Sequence, residues 1–75
     1  MTKYIAKSPL LVDLGNRIRT LRMGKGWTQI TFAINCDMEK SSMSRIESGK
    51  VNLTYLTMHR LSSCLGISVM TLCAT

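Results

Sequence analysis

The chain has 75 residues, which is enough for one domain with a thin hydrophobic core. Aromatic residues make up only 5% and proline occurs once, a balance that favours helices over a sandwich or a barrel. Ten lysine and arginine residues against four acidic residues give a formal net charge of +6, so the surface attracts polyanions such as nucleic acid or an acidic membrane.

The N-terminal part predicts an arm followed by a helix. Residues 1–8 carry Lys3, Tyr4 and Lys7 without a helical pattern, and we expect a flexible basic arm there. Residues 9–75 are expected to form one domain, whose first helix begins at Pro9 with Ser8 as its N-cap. The run from Gly24 to Gly26 ends this helix. Its apolar stripe, at spacings of three and four, consists of Leu11, Leu14, Ile18 and Leu21.

Two short helices are predicted next. Thr28 caps a second helix that runs to about Asn35, with Phe32 and Ala33 buried and with Trp27 filling the core just before it. Residues 35–38 form a tight connection to a third helix, from about Lys40 to Ser48. Gly49 then supplies the left-handed residue that commonly closes a helix.

The remaining residues predict two more helices. Thr54 caps a fourth helix that Gly66 ends, and Ser68 caps a short last helix in which Val69 and Leu72 are apolar. The apolar stripe of the fourth helix consists of Tyr55, Met58, Leu61 and Leu65. Five short helices joined by tight turns predict an all-α fold, a compact five-helix bundle.

The second and third helices have the spacing of a helix-turn-helix unit. On the third helix, residues recurring at i, i+3, i+4 and i+7 form one polar strip, namely Ser41, Ser44, Arg45 and Ser48. Small side chains allow close approach to a major groove, and arginine can bind guanine with two hydrogen bonds. The alternative is an ordinary solvated helix face. Such a face usually pairs acids with bases, and the absence of an acid from this strip favours a DNA contact.

Glu47 lies one turn after Met43 and next to Ile46, which places it near the buried side of the third helix. A buried carboxylate needs a partner, because an unpaired buried charge is costly. Arg22 on the first helix is the candidate. We therefore predict an Arg22–Glu47 ion pair with a structural role.

The chain resembles the phage-repressor type of helix-turn-helix proteins, the Cro/Xre-like or lambda-repressor-like family. The resemblance rests on the runs LGNRIRTLRMGKGWTQ, FA, MSRIESGKVN and LSSCLGIS, and it covers Leu14 to Leu72 without a gap. It implies a transcriptional regulator that binds a palindromic operator in double-stranded DNA as a homodimer, with the third helix in the major groove. The short chain and the run SRIESGKVN are most similar to restriction–modification controller proteins.

The resemblance also implies roles for particular residues. It assigns base contacts to Lys40, Ser41, Ser44 and Arg45. It assigns phosphate contacts to Thr28, Gln29, Ser48, Lys50 and Asn52. The chain departs from the family pattern at Asp37, where glycine is common, and at Leu53, where proline is common. Aspartate tolerates a left-handed conformation, so the fold is still expected.

Two apolar surfaces are left over by this assignment. The last helix has too many apolar side chains to bury on a thin core, so its end is either exposed or packs against a second copy of the chain. We expect a dimer interface made by Val69, Met70, Leu72 and Cys73. Ile30 and Ile34 lie one turn apart on the second helix, at positions that are usually polar. They are either ordinary exposed apolar residues, which is the interpretation we favour, or a contact for another protein. The second interpretation, together with the apolar last helix, leaves open a protein-interaction module of the same fold, such as an antitoxin or adaptor.

Other classes are disfavoured. Cys36, Cys64 and Cys73 are far apart and form no Cys/His cluster, which argues against a metal site and a disulfide framework. One histidine, no phosphate-binding glycine loop and no paired carboxylates argue against an enzyme, so we expect no catalytic residues, cofactor or small-molecule ligand. No apolar run reaches the roughly 18–20 residues that span a bilayer, and no cleavage site follows the N-terminus, so we expect a cytoplasmic protein that does not associate with membranes.

Overall fold

A computed structural model describes residues 8–74, and this part of the chain contains five α-helices and no strand. The all-α prediction with five helices is therefore confirmed. The predicted basic arm falls almost entirely on residues 1–7, which lie outside the described residues. The helices are α1 (Pro9–Gly24), α2 (Gln29–Asn35), α3 (Lys40–Glu47), α4 (Tyr55–Leu65) and α5 (Val69–Cys73).

Hydroxyl side chains start four of the helices. Each accepts a hydrogen bond from an unpaired amide of the first turn, at 3.0 to 3.2 Å. Glu39 precedes α3 and makes no such bond with its side chain. At the other end of α4, Gly66 adopts a φ of 75°, the left-handed conformation that closes a helix. The four capping residues are Ser8, Thr28, Thr54 and Ser68.

One hydrophobic core lies between the helices, and all five contribute to it. Phe32 of α2 is fully buried at its centre, and Trp27 stacks on Phe32 with ring centroids 5.8 Å apart. Trp27 itself is half-buried, so it covers the edge of the core instead of filling it as predicted. The buried apolar residues are Ile18, Phe32, Ala33, Cys36, Met43, Ile46, Leu61, Leu65 and Leu72.

Two sequence-based assignments to this core and its surface were wrong. Tyr55 was placed on the inner stripe of α4, but it is 63% exposed, because it stands in the first turn and lies beside His59 instead of an opposing helix. Leu72 was placed in a dimer interface, but it is fully buried within the chain's own core. A side chain that is already buried has no surface left to offer a second copy.

Helix α3 lies directly on the backbone of α1. A Cβ atom added to Gly15 in α1 would stand 2.6 Å from the carbonyl oxygens of Ile46 and Glu47. Gly49 follows α3 with a φ of 76°, and a Cβ atom there would stand 2.7 Å from the Cα of Val12. Only glycine permits both approaches. The end of α3 therefore packs on α1 in a fixed position.

None of the helices in residues 8–74 is both long and apolar enough to cross a lipid bilayer.

Candidate nucleic-acid interface

Helices α2 and α3 are joined by a four-residue turn, residues 36–39. Asp37 has a φ of 57°, so it adopts the left-handed conformation that was expected for this residue. The amide of Met38 donates to the carbonyl of Ala33 at 2.8 Å, which closes the turn on the end of α2. Two short helices with this connection form a helix-turn-helix unit.

Helix α3 has an inner and an outer face. Met43, Ile46 and Glu47 are buried on the inner face, at 4% exposure or less. The outer face presents Ser41 and Arg45 to solvent. Ser44 and Ser48 are half-buried at its margin, and Lys40 is exposed at the first position of the helix. The structure thus brings the four candidate base contacts together on one accessible side of α3.

Glu47 lies at the centre of a buried polar network. It is 1% exposed, and its Oε2 and Oε1 accept hydrogen bonds from Nε and Nη2 of Arg22, at 2.7 and 3.0 Å. Arg22 also donates from Nη1 to the carbonyl of Trp27 at 2.8 Å. The nearest additional cation is Arg19, whose Nε lies 3.9 Å from Glu47 Oε1. The two-point contact is the strong geometry for an arginine–carboxylate pair, and it ties α3 to α1.

Gln29 extends this network to α2. Its Nε2 donates to Glu47 Oε1 at 3.1 Å, and the side chain is half-buried. The amide group has two hydrogens, so the second is available for an outside acceptor such as a phosphate oxygen. Gln29 can therefore bind Glu47 with one amide hydrogen and a phosphate with the other. Such a pair of bonds would link the phosphate contact to the position of α3.

Two other candidate phosphate contacts already have structural partners. Thr28 Oγ1 accepts from the amide of Thr31 at 3.1 Å as the N-cap of α2. Ser48 Oγ donates to the carbonyl of Ser44 at 2.9 Å. A phosphate offers only acceptor oxygens, so the Ser48 hydroxyl would have to turn away from the helix to bind one. Lys50 and Asn52 are exposed in the segment after α3 and have no such conflict.

Arg17 is a structural residue that the sequence analysis missed. Its Nη1 donates to the carbonyl of Leu72 at 2.8 Å and also to the carbonyl of Ala74. These contacts hold the end of α5 against α1 and satisfy carbonyls that a helix terminus leaves open. No sequence signal identifies backbone carbonyls as partners, whereas Gly15 could have been found as an isolated glycine inside a helical pattern.

The end of the molecule around α5 carries the remaining candidate interface residues. Met70 is 83% exposed, Cys73 is exposed and Val69 is half-buried. Tyr55 and Met70 border the same shallow hollow between α4 and α5. On α2, Ile30 and Ile34 are 55% and 70% exposed, so they also lie on the surface.

A family model for the helix-turn-helix domain matches residues 13–70, and the chain therefore belongs to the helix-turn-helix family. Among its curated relatives is the control protein C.MunI of a Mycoplasma species. It is 32% identical over 59 residues, which make up 77% of this chain and 80% of that protein.

Solved structures give the same picture. The restriction–modification controller protein C.AhdI of Aeromonas hydrophila is 32% identical with a TM-score of 0.79, over 83% of this chain and 94% of that chain. SinR, a master regulator for biofilm formation solved in complex with DNA, is 31% identical with a TM-score of 0.76, over 81% of this chain and 98% of that chain. The resemblance to Cro/Xre-like regulators, and to controller proteins among them, is confirmed.

Proposed function

We propose that the chain is a sequence-specific DNA-binding transcriptional regulator. The observation that carries this proposal is the acid-free outer face of α3, held in place by a buried ion pair on its inner face. Because contacts on its inner face already fix α3, the helix can enter the major groove without first being ordered. Less binding free energy is then lost to the conformational entropy of ordering. The similarity to controller proteins and to a DNA-bound regulator supports the same role and a non-enzymatic one.

Direct reading of bases falls to the exposed part of α3. Arg45 can donate two hydrogen bonds to O6 and N7 of a guanine, which is the commonest specific contact in the major groove. Ser41 and Ser44 are short enough to let the helix axis come close to the base edges. Lys40 stands at the start of α3, where it reaches a base edge or a phosphate.

Phosphate contacts fix the register of α3 in the groove without reading sequence. Lys50 and Asn52 are exposed beyond the end of α3, and Gln29 offers its second amide hydrogen at the start of α2. Thr28 and Ser48 complete the proposed set, with Ser48 turning its hydroxyl outward on binding. These positions flank α3 on both sides, so they clamp it between two stretches of DNA backbone.

A homodimer joined at α5 completes the proposal. Val69, Met70 and Cys73 form its apolar contact, with Tyr55 at the edge, while Leu72 supports the surface from the core. A two-fold axis there places two copies of α3 at a fixed separation, which suits half-sites about 10 bp apart.

The test is selection of sequences from a random pool of duplex DNA with the purified chain, at near-physiological salt. Enrichment of an inverted repeat with half-site centres about 10 bp apart supports a dimeric regulator. Enrichment of a single half-site retains base reading but refutes the dimer. Weak binding without any motif refutes base reading by α3.

A protein-interaction module is the second candidate, and the exposed pair Ile30 and Ile34 favours it. Two apolar side chains one turn apart on a short helix offer a partner a small hydrophobic contact. The double variant Ile30→Asn/Ile34→Asn separates the two functions. Unchanged enrichment of the DNA motif in this variant shows that the isoleucines serve something other than DNA, and loss of the motif assigns them to DNA binding.

A further inference from the structure

Cys36, which follows α2, and Cys64, in the last turn of α4, lie in the same region of the core and line the same surface depression. Cys36 is the C-cap of α2 and is 3% exposed, while Cys64 is half-buried and packs against the core cluster that includes Cys36. Cys64 lies close enough to Cys36 to raise the pKa of the Cys36 thiol. Both border a shallow surface depression, which is lined by Asn35, Cys36, Asp37, Arg60, Ser63 and Cys64.

The two thiols have different surroundings. Burial raises the pKa of the Cys36 thiol well above its ordinary value, the neighbouring Cys64 raises it further, and Arg60 opposes the shift only in part. Cys36 therefore remains protonated. Cys64 opens to the depression one helical turn after Arg60, so a small oxidant can reach it from solvent. The pair thus combines an accessible sulfur with a protected one.

We propose that Cys36 and Cys64 form a site of reversible oxidation by hydroperoxides, which joins the two residues in an intrachain disulfide. This role is independent of DNA binding. Thiolates on accessible cysteines beside a second cysteine are the ones that peroxides oxidise reversibly.

The reaction has two balanced steps. The Cys64 thiolate attacks one oxygen of the peroxide, the O–O bond breaks, and the leaving hydroxide takes a proton to become water. The sulfenic acid formed on Cys64 is then attacked by the Cys36 sulfur, and the S–O bond breaks as the S–S bond forms. The hydroxyl group leaves with the proton of Cys36 as a second water. The two cysteines lose two electrons, and the peroxide gains them.

The test uses the full chain with Cys73→Ser, since Cys73 is exposed and could link two chains. The reduced protein is treated with one equivalent of hydrogen peroxide, free thiols are alkylated, and the intact mass and peptide map are recorded. We expect the loss of two hydrogens, no alkylation, and a Cys36–Cys64 peptide that dithiothreitol separates. Alkylation of both thiols, or irreversible oxidation of Cys64 alone, overturns the proposal.

Two controls distinguish a site built by the fold from chance pairing. The rate of linkage in the native chain should exceed that in urea by roughly tenfold or more, because folding holds the sulfurs together. An equal or faster rate in urea overturns the proposal. In a Cys64→Ser variant, Cys36 should resist peroxide because it is buried and protonated, and rapid oxidation of Cys36 there would contradict its assigned role.

Thermal unfolding gives a separate readout. A disulfide between Cys36 and Cys64 closes a loop that includes the turn and α3, and it restricts the unfolded chain. The oxidised protein should therefore melt at a temperature higher by roughly 10 °C. A lower melting temperature would show that the native junction of α2 and α4 does not accommodate the bond, and would overturn the proposal.

Discussion

Arg45 and Lys50 are both exposed cations near the end of α3, but they differ in what they can contact on DNA. Arg45 stands on the outer face of the helix and is assigned to a base edge, whereas Lys50 lies beyond the helix and is assigned to a phosphate. Loss of the first should change which sequence is preferred. Loss of the second should change only how tightly any sequence is held.

We predict that Arg45→Ala costs about 1–3 kcal/mol at one base pair of the selected operator and relaxes the preference there. Lys50→Ala, the matched control, should weaken every sequence alike and lower the slope of log K against log salt by about one. Both are measured by titrating the operator and its single-base variants over a range of salt concentrations. Equal losses on all sequences for Arg45→Ala would contradict its role in reading a base.

Glu47 is the residue whose removal should most affect folding. Glu47→Ala leaves Arg22 without its carboxylate, and the Arg22 side chain is only 12% exposed. We expect the free energy of unfolding to fall by about 3–5 kcal/mol, because a buried charge loses its partner. The measurement is equilibrium unfolding in urea.

Glu39→Ala is the control for this change, because Glu39 is exposed and makes no side-chain capping bond to α3. Its effect should stay within about 0.5 kcal/mol. Similar unfolding curves for the two variants would show that the Arg22–Glu47 contact does not stabilise the fold.

The sequence predicted some of these side-chain relations and not others. A helical wheel places Glu47 on the buried side of α3, and its charge then requires a cation, which leads to Arg22. Gln29 was assigned to phosphate alone, because its contact with Glu47 depends on the approach of α2 to α3. Arg17 was missed because its acceptors are backbone carbonyls of α5, which no residue type marks.

At the scale of the helices, the boundaries were largely predictable because they depend on local chemistry. A hydroxyl at the N-cap and a left-handed glycine at the end act within one turn, so Thr54 and Gly66 delimit α4 in both the sequence and the structure. The inner faces were less predictable. The spacing of Tyr55 fits the stripe of α4, but no opposing helix covers that first turn.

The close packing of α3 on α1 at Gly15 gives a prediction at the scale of the helices. Gly15→Ala should destabilise the fold by about 1–3 kcal/mol, because its Cβ would meet backbone carbonyls of α3 that cannot rotate away. Gly24→Ala is the control, since Gly24 is also in α1 and has no atom within 4 Å of an added Cβ. That change should be neutral, or stabilising by up to about 1 kcal/mol. Thermal and urea unfolding measure both, and a stable Gly15→Ala variant would contradict the close approach.

For the whole molecule, the short chain, the helical composition and the charge of +6 together predicted an all-α domain that attracts polyanions. The order of the five helices and their tight connections followed from local signals. The sequence did not indicate which apolar residues of the last helix are buried and which are exposed. Leu72 and Met70 are both apolar, and only the packing of the folded chain distinguishes them. Leu72 is buried and Met70 is 83% exposed.

The dimer proposal is tested by Met70→Lys. A charged side chain in the proposed contact would be desolvated on association, so the variant should be monomeric where the wild type is dimeric, and its DNA affinity should fall by at least about tenfold. Met23→Lys is the control, because Met23 is also an exposed methionine, at 60%, but lies in the last turn of α1 and outside the proposed interface. Sedimentation equilibrium and operator titration provide the measurements. A dimeric Met70→Lys variant would place the interface elsewhere.

The contact of Gly15 and Gly49 with their neighbouring helices has a consequence for how specificity can be exchanged. At Gly15, α1 and α3 approach so closely that backbone meets backbone, and an added Cβ atom would have no room there. The residues on the outer face of α3 take no part in this packing contact. These residues can therefore be exchanged without disturbing the packing of α3. Replacing Lys40, Ser41, Ser44 and Arg45 with the corresponding residues of another controller protein should transfer that protein's operator preference to this chain. The melting temperature of this chain should stay nearly unchanged.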